Sequence, residues 1–267
     1  MILKSPLNYT GSKSKLIERL SPLFPENVTR CYDLFCGGGG FFSNVTDMFD
    51  SICANDVIVP LIEFYKILQT KPWEELLSEI EESNIPRDSQ ESYLNLRKRY
   101  NEGRSPIDFF LLACSCTNNM IRFNNSGGFN QTWGKRHFNI KVQDKLKAYH
   151  DLLYQNDKIR FVCGGFDEVE IEDGGFVYLD PPYFITEGGY NLQWSRRDEE
   201  RLYDFLEMLD GRGIKFMMSN VRKHNGLMNE KMNRLEKYNL TMLPEVEYFK
   251  VSRKRVSDTE EFVVCNY

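Results

Sequence analysis

No stretch of this 267-residue sequence approaches the roughly 20 consecutive apolar residues that a bilayer-crossing helix needs. No internal repeat and no low-complexity linker interrupts it, which sets aside solenoid and array architectures. The opening MILKSPLNYTGSK has no apolar signal stretch before its polar residues, so no secretory leader is expected. The seven cysteines are odd in number and include no C-x-x-C pair. Cys114 and Cys116 stand too close together for zinc-ligand spacing without a second pair. All seven read as reduced thiols of a cytoplasmic protein, most of them core filler, and no metal is expected. An excess of positive charge is missing too: the formal net charge is -5, which by itself counts against a nucleic-acid partner.

What is present is the composition of a soluble globular protein, 41% hydrophobic and 27% charged, in a chain long enough for one domain with an insertion or for two small domains. The charges are segregated. Between Asn118 and Lys147 stand Arg122, Lys135, Arg136, Lys141, Lys145 and Lys147 against a single acid, Asp144; later come Arg222, Lys223 and the run Arg253, Lys254, Arg255. Acids gather instead between Asp157 and Asp210. An acidic chain patterned in this way can present one basic face, although the plainer reading of any single lysine is solvated surface.

Periodicity predicts an α/β fold. RCYDLFCGGGGFF reads as a strand over Cys31 to Phe35, a glycine turn and a helix from about Phe41. SICANDV reads as a second strand ending in Asn55 and Asp56, and PLIEFYKILQ as a helix, so the chain begins with the alternation of a parallel sheet. From about Trp73 to Asn119 apolar residues fall at i, i+3 and i+4, the helical spacing. RFNNSGGFNQTWGKRHF reads as a hairpin or loop. Strands return at Ile159, Phe176 and Ile214, with helices over about Ser195 to Leu209 and near Asn229 to Lys237. EVEYFKV and EEFVVCNY read as an antiparallel pair joined by the basic turn. The simplest architecture is a twisted, mostly parallel sheet flanked by helices and interrupted by a helical insertion near 58–153.

Two motifs carry chemistry. In FVYLDPPYF, Phe176 to Leu179 reads as a buried strand that the prolines must end, leaving Asp180 at the C-terminal edge of a sheet, where open α/β sheets bind ligands. Pro181 and Pro182 fix their own φ, so the Asp180 and Pro181 carbonyls are aimed. The plainer reading is an acidic turn with a surface tyrosine. In DLFCGGGG, Asp33 to Gly40, glycines after a first strand let a ligand approach the backbone closely, and Asp56 about twenty residues on is placed to accept hydrogen bonds from ribose hydroxyls. At this point a nicotinamide-type dinucleotide domain remains a rival.

Taken in order, the segment Asn8 to Lys13, the FCGG turn, Asp56 and the Asp180-Pro181-Pro182-Tyr183 tetrapeptide resemble the Dam family of DNA adenine-N6 methyltransferases over nearly the whole chain, most closely those of T-even phages. NNMIRFNNSGGFNQTWGKR is similar to the family's target-recognition segment, and GIKFMMSN to its strand ending in Ser-Asn, here Ser219 and Asn220. One position departs: Thr132 stands where the family usually has a proline that touches a target base.

The resemblance implies a Rossmann-like class I methyltransferase fold using S-adenosylmethionine. The catalytic domain would comprise 1–57 and 154–267, and a helical target-recognition domain 58–153, with a DNA-reading hairpin at about 118–138. It implies methyl transfer to the N6 amine of a flipped adenine in double-stranded DNA, at GATC by analogy, by a monomer or a weak dimer on DNA, with no metal, no membrane and no covalent cysteine adduct. Asp180 and the Pro181 carbonyl would accept hydrogen bonds from the amine; Pro182 completes the motif and Tyr183 would stack on the base. Cofactor contacts would come from Tyr9, Thr10, Gly11 and Lys13, from Asp33, Phe35, Gly37 and Gly38, and from Asp56, Phe166 and Asp180. DNA contacts would come from Arg122 as principal base reader, with Asn118, Asn119, Asn124, Thr132, Trp133, Lys135 and Arg136. Phe123 or Trp133 would act as a wedge, and Arg253 and Lys254 would touch phosphates. Cytosine-N4 transfer, or a non-catalytic DNA-binding relative, are the alternatives.

Overall fold

The structure, a computed structural model, describes residues 2–7, 13–186, 194–243 and 258–267. The strands are β1 (Arg30–Asp33), β2 (Ser51–Asp56), β3 (Ile159–Cys163), β4 (Phe176–Leu179), β5 (Lys215–His224), β6 (Leu227–Met228), β7 (Asn239–Met242) and β8 (Thr259–Cys265). Among the described residues they form one sheet in the order β3-β2-β1-β4-β5-β8-β7, with β6 appended to β5. β1 to β5 pair in parallel, and β8 runs antiparallel to both β5 and β7. The apolar runs of β1, β4 and β5 follow from burial on both faces. Cys31, Phe176, Tyr178 and Met217 join one core, while Tyr32, Val177, Leu179 and Met218 join the other.

The α-helices are α1 (Ile17–Leu20), α2 (Phe42–Val45), α3 (Val59–Thr70), α4 (Trp73–Ser83), α5 (Gln90–Gly103), α6 (Pro106–Ser115), α7 (Ile140–Leu153) and α8 (Arg196–Gly211). Serine side chains start several of them: Ser89 caps α5, Ser105 caps α6, and Ser195 forms a reciprocal capping box with Asp198 on α8. α6 is buried all round, because PIDFFLLACS is apolar on every face. Phe110 on α6 stacks on Phe64 of α3 at 4.4 Å, and one core runs from the sheet through α3 to α6. The helices of 58–153 therefore share their hydrophobic core with the sheet.

Two expected elements differ, and a third falls on residues not described. β1 ends at Asp33, so Leu34 and Phe35 belong to the glycine turn; their neighbours still bridge to the sheet, with Leu34 N–H on the Tyr178 carbonyl at 3.1 Å. The helix expected near Asn229 to Lys237 is a single 3-10 turn, Met232–Leu235. Asn229 Oδ1 accepts the Lys231 amide at 2.9 Å, offering the backbone a turn in place of a helix start. EVEYFKV lies outside the described residues. The observed antiparallel partners of β8 are β5 and β7, and β7 precedes that segment. No described helix is long and apolar enough to cross a membrane.

Candidate active site

The strand order reverses between β1 and β4, the place where open α/β sheets leave a crevice at their C-terminal edge. Asp33 closes β1, Asp56 closes β2 and Asp180 follows β4, so all three carboxyls reach that edge. They line one cavity of about 430 Å³, together with the glycine turn and Pro181 to Tyr183.

The glycine turn is held from behind. Tyr65 Oη donates to the Gly37 carbonyl at 2.8 Å, and Ser43 Oγ and Tyr149 Oη donate to the Gly39 carbonyl at 2.6 and 3.1 Å. Asp56 Oδ2 accepts the Gly37 N–H at 2.9 Å and Oδ1 the Ile58 N–H at 3.0 Å. Asp56 is thus also a scaffold of the turn. Gly39 has φ +76, and a Cβ there would lie 2.9 Å from the Phe42 ring. Gly39→Ala is expected to cost about 1–3 kcal/mol of stability through left-handed backbone strain and overpacking, read as a fall in unfolding temperature.

Asp33 is fully buried. Its Oδ2 accepts the Phe42 N–H at 3.3 Å, while Oδ1, like Asn55 Oδ1, is buried with no hydrogen-bond partner among the described residues. Burial pushes the Asp33 carboxyl well above its ordinary range, and the neighbouring Asp180 and Asp56 push the same way. Burial raises Asp56 too. An orphaned acceptor among three acids fits a cationic ligand that carries N–H donors. An aromatic wall adds a flat surface: Phe35 stacks on Phe166 at 5.4 Å, and Trp194 meets both at 5.8 and 5.9 Å. Cys36 is buried and its thiol is pushed well up by burial and by Asp56, which suits packing and not nucleophilic attack.

At the far side of the cavity stands a buried polar cluster. Lys13 Nζ lies 2.9 Å from Asp180 Oδ1 and 3.1 Å from Glu261 Oε1, and donates to Tyr183 Oη at 2.7 Å. Tyr183 Oη lies 2.7 Å from Glu261 Oε1 and 3.1 Å from Asp180 Oδ1, and Ser219 Oγ donates to the same Asp180 oxygen at 2.7 Å. All three contacts to Asp180 fall on Oδ1; among the described residues Oδ2 is left for an incoming donor. Burial alone would lower the Lys13 ammonium, but Asp180 and Glu261 outweigh it and the net shift is upward. Burial, then Asp180, raise the Tyr183 phenol well above its usual range.

Residues 9–251 match the family described as D12 class N6 adenine-specific DNA methyltransferase. The chain belongs to this family. It is 31% identical to the type II methyltransferase M.FokI of Planomicrobium okeanokoites over 99% of this chain and 43% of that protein. It is 34% identical to the modification methylase StsI of Streptococcus sanguinis over 85% of this chain and 37% of that protein. It is 26% identical to a DNA adenine methylase of Vibrio cholerae over 80% of each chain. The chain spans about two fifths of the length of the first two relatives.

Among the family's expected cofactor contacts, Lys13, Asp33, Phe35, Gly37, Gly38, Asp56, Phe166 and Asp180 all line the one cavity. Lys13 also pairs with Asp180 and Glu261. Tyr9, Thr10 and Gly11 lie outside the described residues, as do Arg253, Lys254 and Arg255. Sequence reasoning missed Glu261 and Trp194. Only the acid at the head of an apolar run in EEFVVC hinted at the first; no periodicity marks the second.

In the recognition segment, Arg122 is exposed and braced: Nε donates to Asn130 Oδ1 at 2.9 Å and Nη2 to the Asn130 carbonyl at 3.0 Å. Asn118 and Thr132 are exposed, with the Thr132 hydroxyl 2.9 Å from that of Thr117. Lys135 and Arg136 line a second cavity with Arg87, His137 and Lys141, and none of these four Arg and Lys side chains is ion-paired with a described residue. Asn119 departs from the exposed DNA contact expected of it: it is buried, its amide donating to the Ala113 carbonyl at 3.0 Å and its oxygen accepting from Arg136, so it closes the end of α6. Asn124 is exposed, its Oδ1 accepting the turn amides of Ser126 and Gly128 at 3.1 and 2.8 Å. Phe123 stacks on Phe109 and meets Phe129 edge-on at 5.8 Å, and Trp133 packs half-buried on the core.

Proposed function

We propose that the chain transfers a methyl group from S-adenosylmethionine to the N6 amine of adenine in double-stranded DNA, at GATC by analogy with the Dam-type relatives. The carrying observation is Asp180 in the D-P-P-Y turn, with Oδ1 saturated by Lys13, Tyr183 and Ser219 and Oδ2 left over, on the cavity that also holds the orphaned Asp33 Oδ1. Family membership favours adenine N6 over cytosine N4.

The residues fit the cofactor. Asp33 Oδ1 is an acceptor for an ammonium, the three acids suit a net cationic group, and Phe35, Phe166 and Trp194 offer faces to an adenine ring. S-adenosylmethionine supplies an electrophilic methyl group on a sulfonium. The exocyclic amine of adenine is a poor nucleophile because its lone pair is delocalised into the ring. Asp180 Oδ2 and the Pro181 carbonyl accept its hydrogens and favour the tetrahedral, positively charged nitrogen that forms on attack. Inside a duplex the amine is out of reach, so the base must be flipped, at a cost of a few kcal/mol.

We assign DNA reading to the segment 118–138 within a recognition part spanning 58–153, with 1–57 and 154–267 as the catalytic part acting as a monomer or weak dimer in the cytoplasm. Arg122, braced by Asn130, is the principal base reader, since a guanidinium can bond guanine O6 and N7 together. Arg122→Ala should cost about 1–3 kcal/mol at one base pair, measured as a relaxed or weakened site preference. An unchanged profile removes it from the readers.

The test is incubation with labelled S-adenosylmethionine and unmethylated duplex DNA, then nucleoside analysis and site mapping. N6-methyladenine in GATC supports reaction and target. N6-methyladenine at another site keeps the reaction and moves the target. No incorporation by a protein that binds the cofactor points to a non-catalytic DNA-binding relative.

A further inference from the structure

We propose that Glu261 is a positioning residue for methyl transfer: it shares the Lys13 ammonium with Asp180 and anchors the Tyr183 hydroxyl, so that Asp180 is not neutralised by Lys13 alone beside the reacting amine. The inference rests on the methyltransferase reading above. Its basis is a geometry that an isolated ion pair does not need. The Lys13 ammonium is almost equidistant from Asp180 Oδ1 and Glu261 Oε1, at 2.9 and 3.1 Å, with side-chain exposures of 3%, 20% and 9% for Lys13, Asp180 and Glu261. A lysine buried against Asp180 alone would form a neutral pair, a poorer neighbour for a nitrogen that becomes cationic during attack. A second carboxylate shares that cation, so Asp180 keeps more of its negative charge.

Glu261 also sets the hydroxyl of Tyr183. A phenol has one proton, and the shorter of its two carboxylate contacts is to Glu261 at 2.7 Å, against 3.1 Å to Asp180. Glu261 thereby fixes the side chain that follows the two prolines without itself lining the cavity. It arrives on β8, which pairs antiparallel with β5 such that Val221 faces it across the ladder. The last strand therefore holds the D-P-P-Y turn in place from outside the parallel sheet.

The experiment compares wild type, E261Q, E261D and K13M/E261Q for turnover at saturating DNA and S-adenosylmethionine, for cofactor affinity by calorimetry, and for unfolding temperature. E261Q should lower kcat about 10- to 100-fold, less than the roughly 10²–10³ expected of a group touching the reacting atoms, with cofactor affinity changed less than about 3-fold. K13M/E261Q should exceed E261Q in turnover, because with the ammonium also gone Asp180 is no longer neutralised by it; a purely structural role predicts the reverse. Unchanged kcat in E261Q, or a double variant slower than E261Q, overturns the inference while the wild type still transfers methyl groups. A wild type that binds cofactor and transfers nothing overturns the methyltransferase reading and this inference with it. Should E261Q not fold, E261D decides: the charge stays but the carboxylate withdraws from Tyr183, so lower turnover at unchanged unfolding temperature supports the role and unchanged turnover overturns it.

Discussion

Asp180→Ala is expected to remove methyl transfer while the cofactor still binds. The substitution deletes the acceptor left free in the cavity, and it does so at the carboxylate that gathers Lys13, Tyr183 and Ser219 on its other oxygen. The loss should reach at least about 10²–10³-fold in kcat, the scale seen when one preorganised electrostatic group is withdrawn from a developing charge. Folding should survive, because the buried Lys13 ammonium keeps Glu261 at 3.1 Å and is not left uncompensated. Asp33, Phe35 and Phe166 do not touch Asp180 through any hydrogen bond, so cofactor affinity measured by calorimetry should move by only a few-fold. Turnover near the wild-type value would remove Asp180 from the mechanism.

Asp33→Asn should have two effects of opposite sign. Its carboxyl is buried and its protonation is favoured by burial and by the nearby Asp180 and Asp56. The folded state therefore holds a proton more tightly than the unfolded chain does. For an acid raised in this way, the folded protein is favoured below the unfolded carboxyl range, about pH 4, and loses stability as pH rises from there through the raised folded value. An amide of the same shape removes that loss. The variant without ligand should unfold about 2–4 °C higher for each kcal/mol regained at neutral pH, with the gap closing as pH falls towards 4. Cofactor affinity should fall about 10- to 100-fold, since the orphaned Oδ1 loses the charge that would meet an ammonium. Calorimetry and thermal unfolding between pH 5 and 8 check both. Unfolding at a lower temperature than wild type throughout that range, or undiminished affinity, would count against a cation-binding Asp33.

Asp56 is also raised by burial, yet both of its oxygens already accept backbone N–H groups, from Gly37 and Ile58. Only the partners of Asp56 and Asp33 separate a carboxylate that builds the glycine turn from one whose Oδ1 still lacks a donor.

How much was legible beforehand divides along the same physical line. The alternation of short apolar runs with helical periodicity determined the α/β class, the parallel strands and the placing of Asp56 and Asp180 at strand ends, because strand burial and proline's missing N–H act within a few residues; Asp33, read inside a strand to Phe35, instead closes it. Ser195 and Asp198 likewise announced the start of α8 through a local capping box. α7 was not anticipated, since IKVQDKLKAYHDLL carries charged residues through its length and buries only Leu146, Tyr149, His150 and Leu153. Tertiary structure alone decided the rest. Asn119, read as a DNA contact, is buried at a helix end, and Asn124 Oδ1 and Phe123 also hold a turn and an aromatic core. Tyr65 and Tyr149 grip the glycine turn from helices 28 and 110 positions away. Glu261 meets Tyr183 from 78 residues downstream. Local spacing governs which element forms, because its hydrogen bonds and periodicity close over a handful of positions. Which side chain completes a buried charge is settled only when distant strands are brought side by side, where an unpaired polar group carries its full desolvation cost.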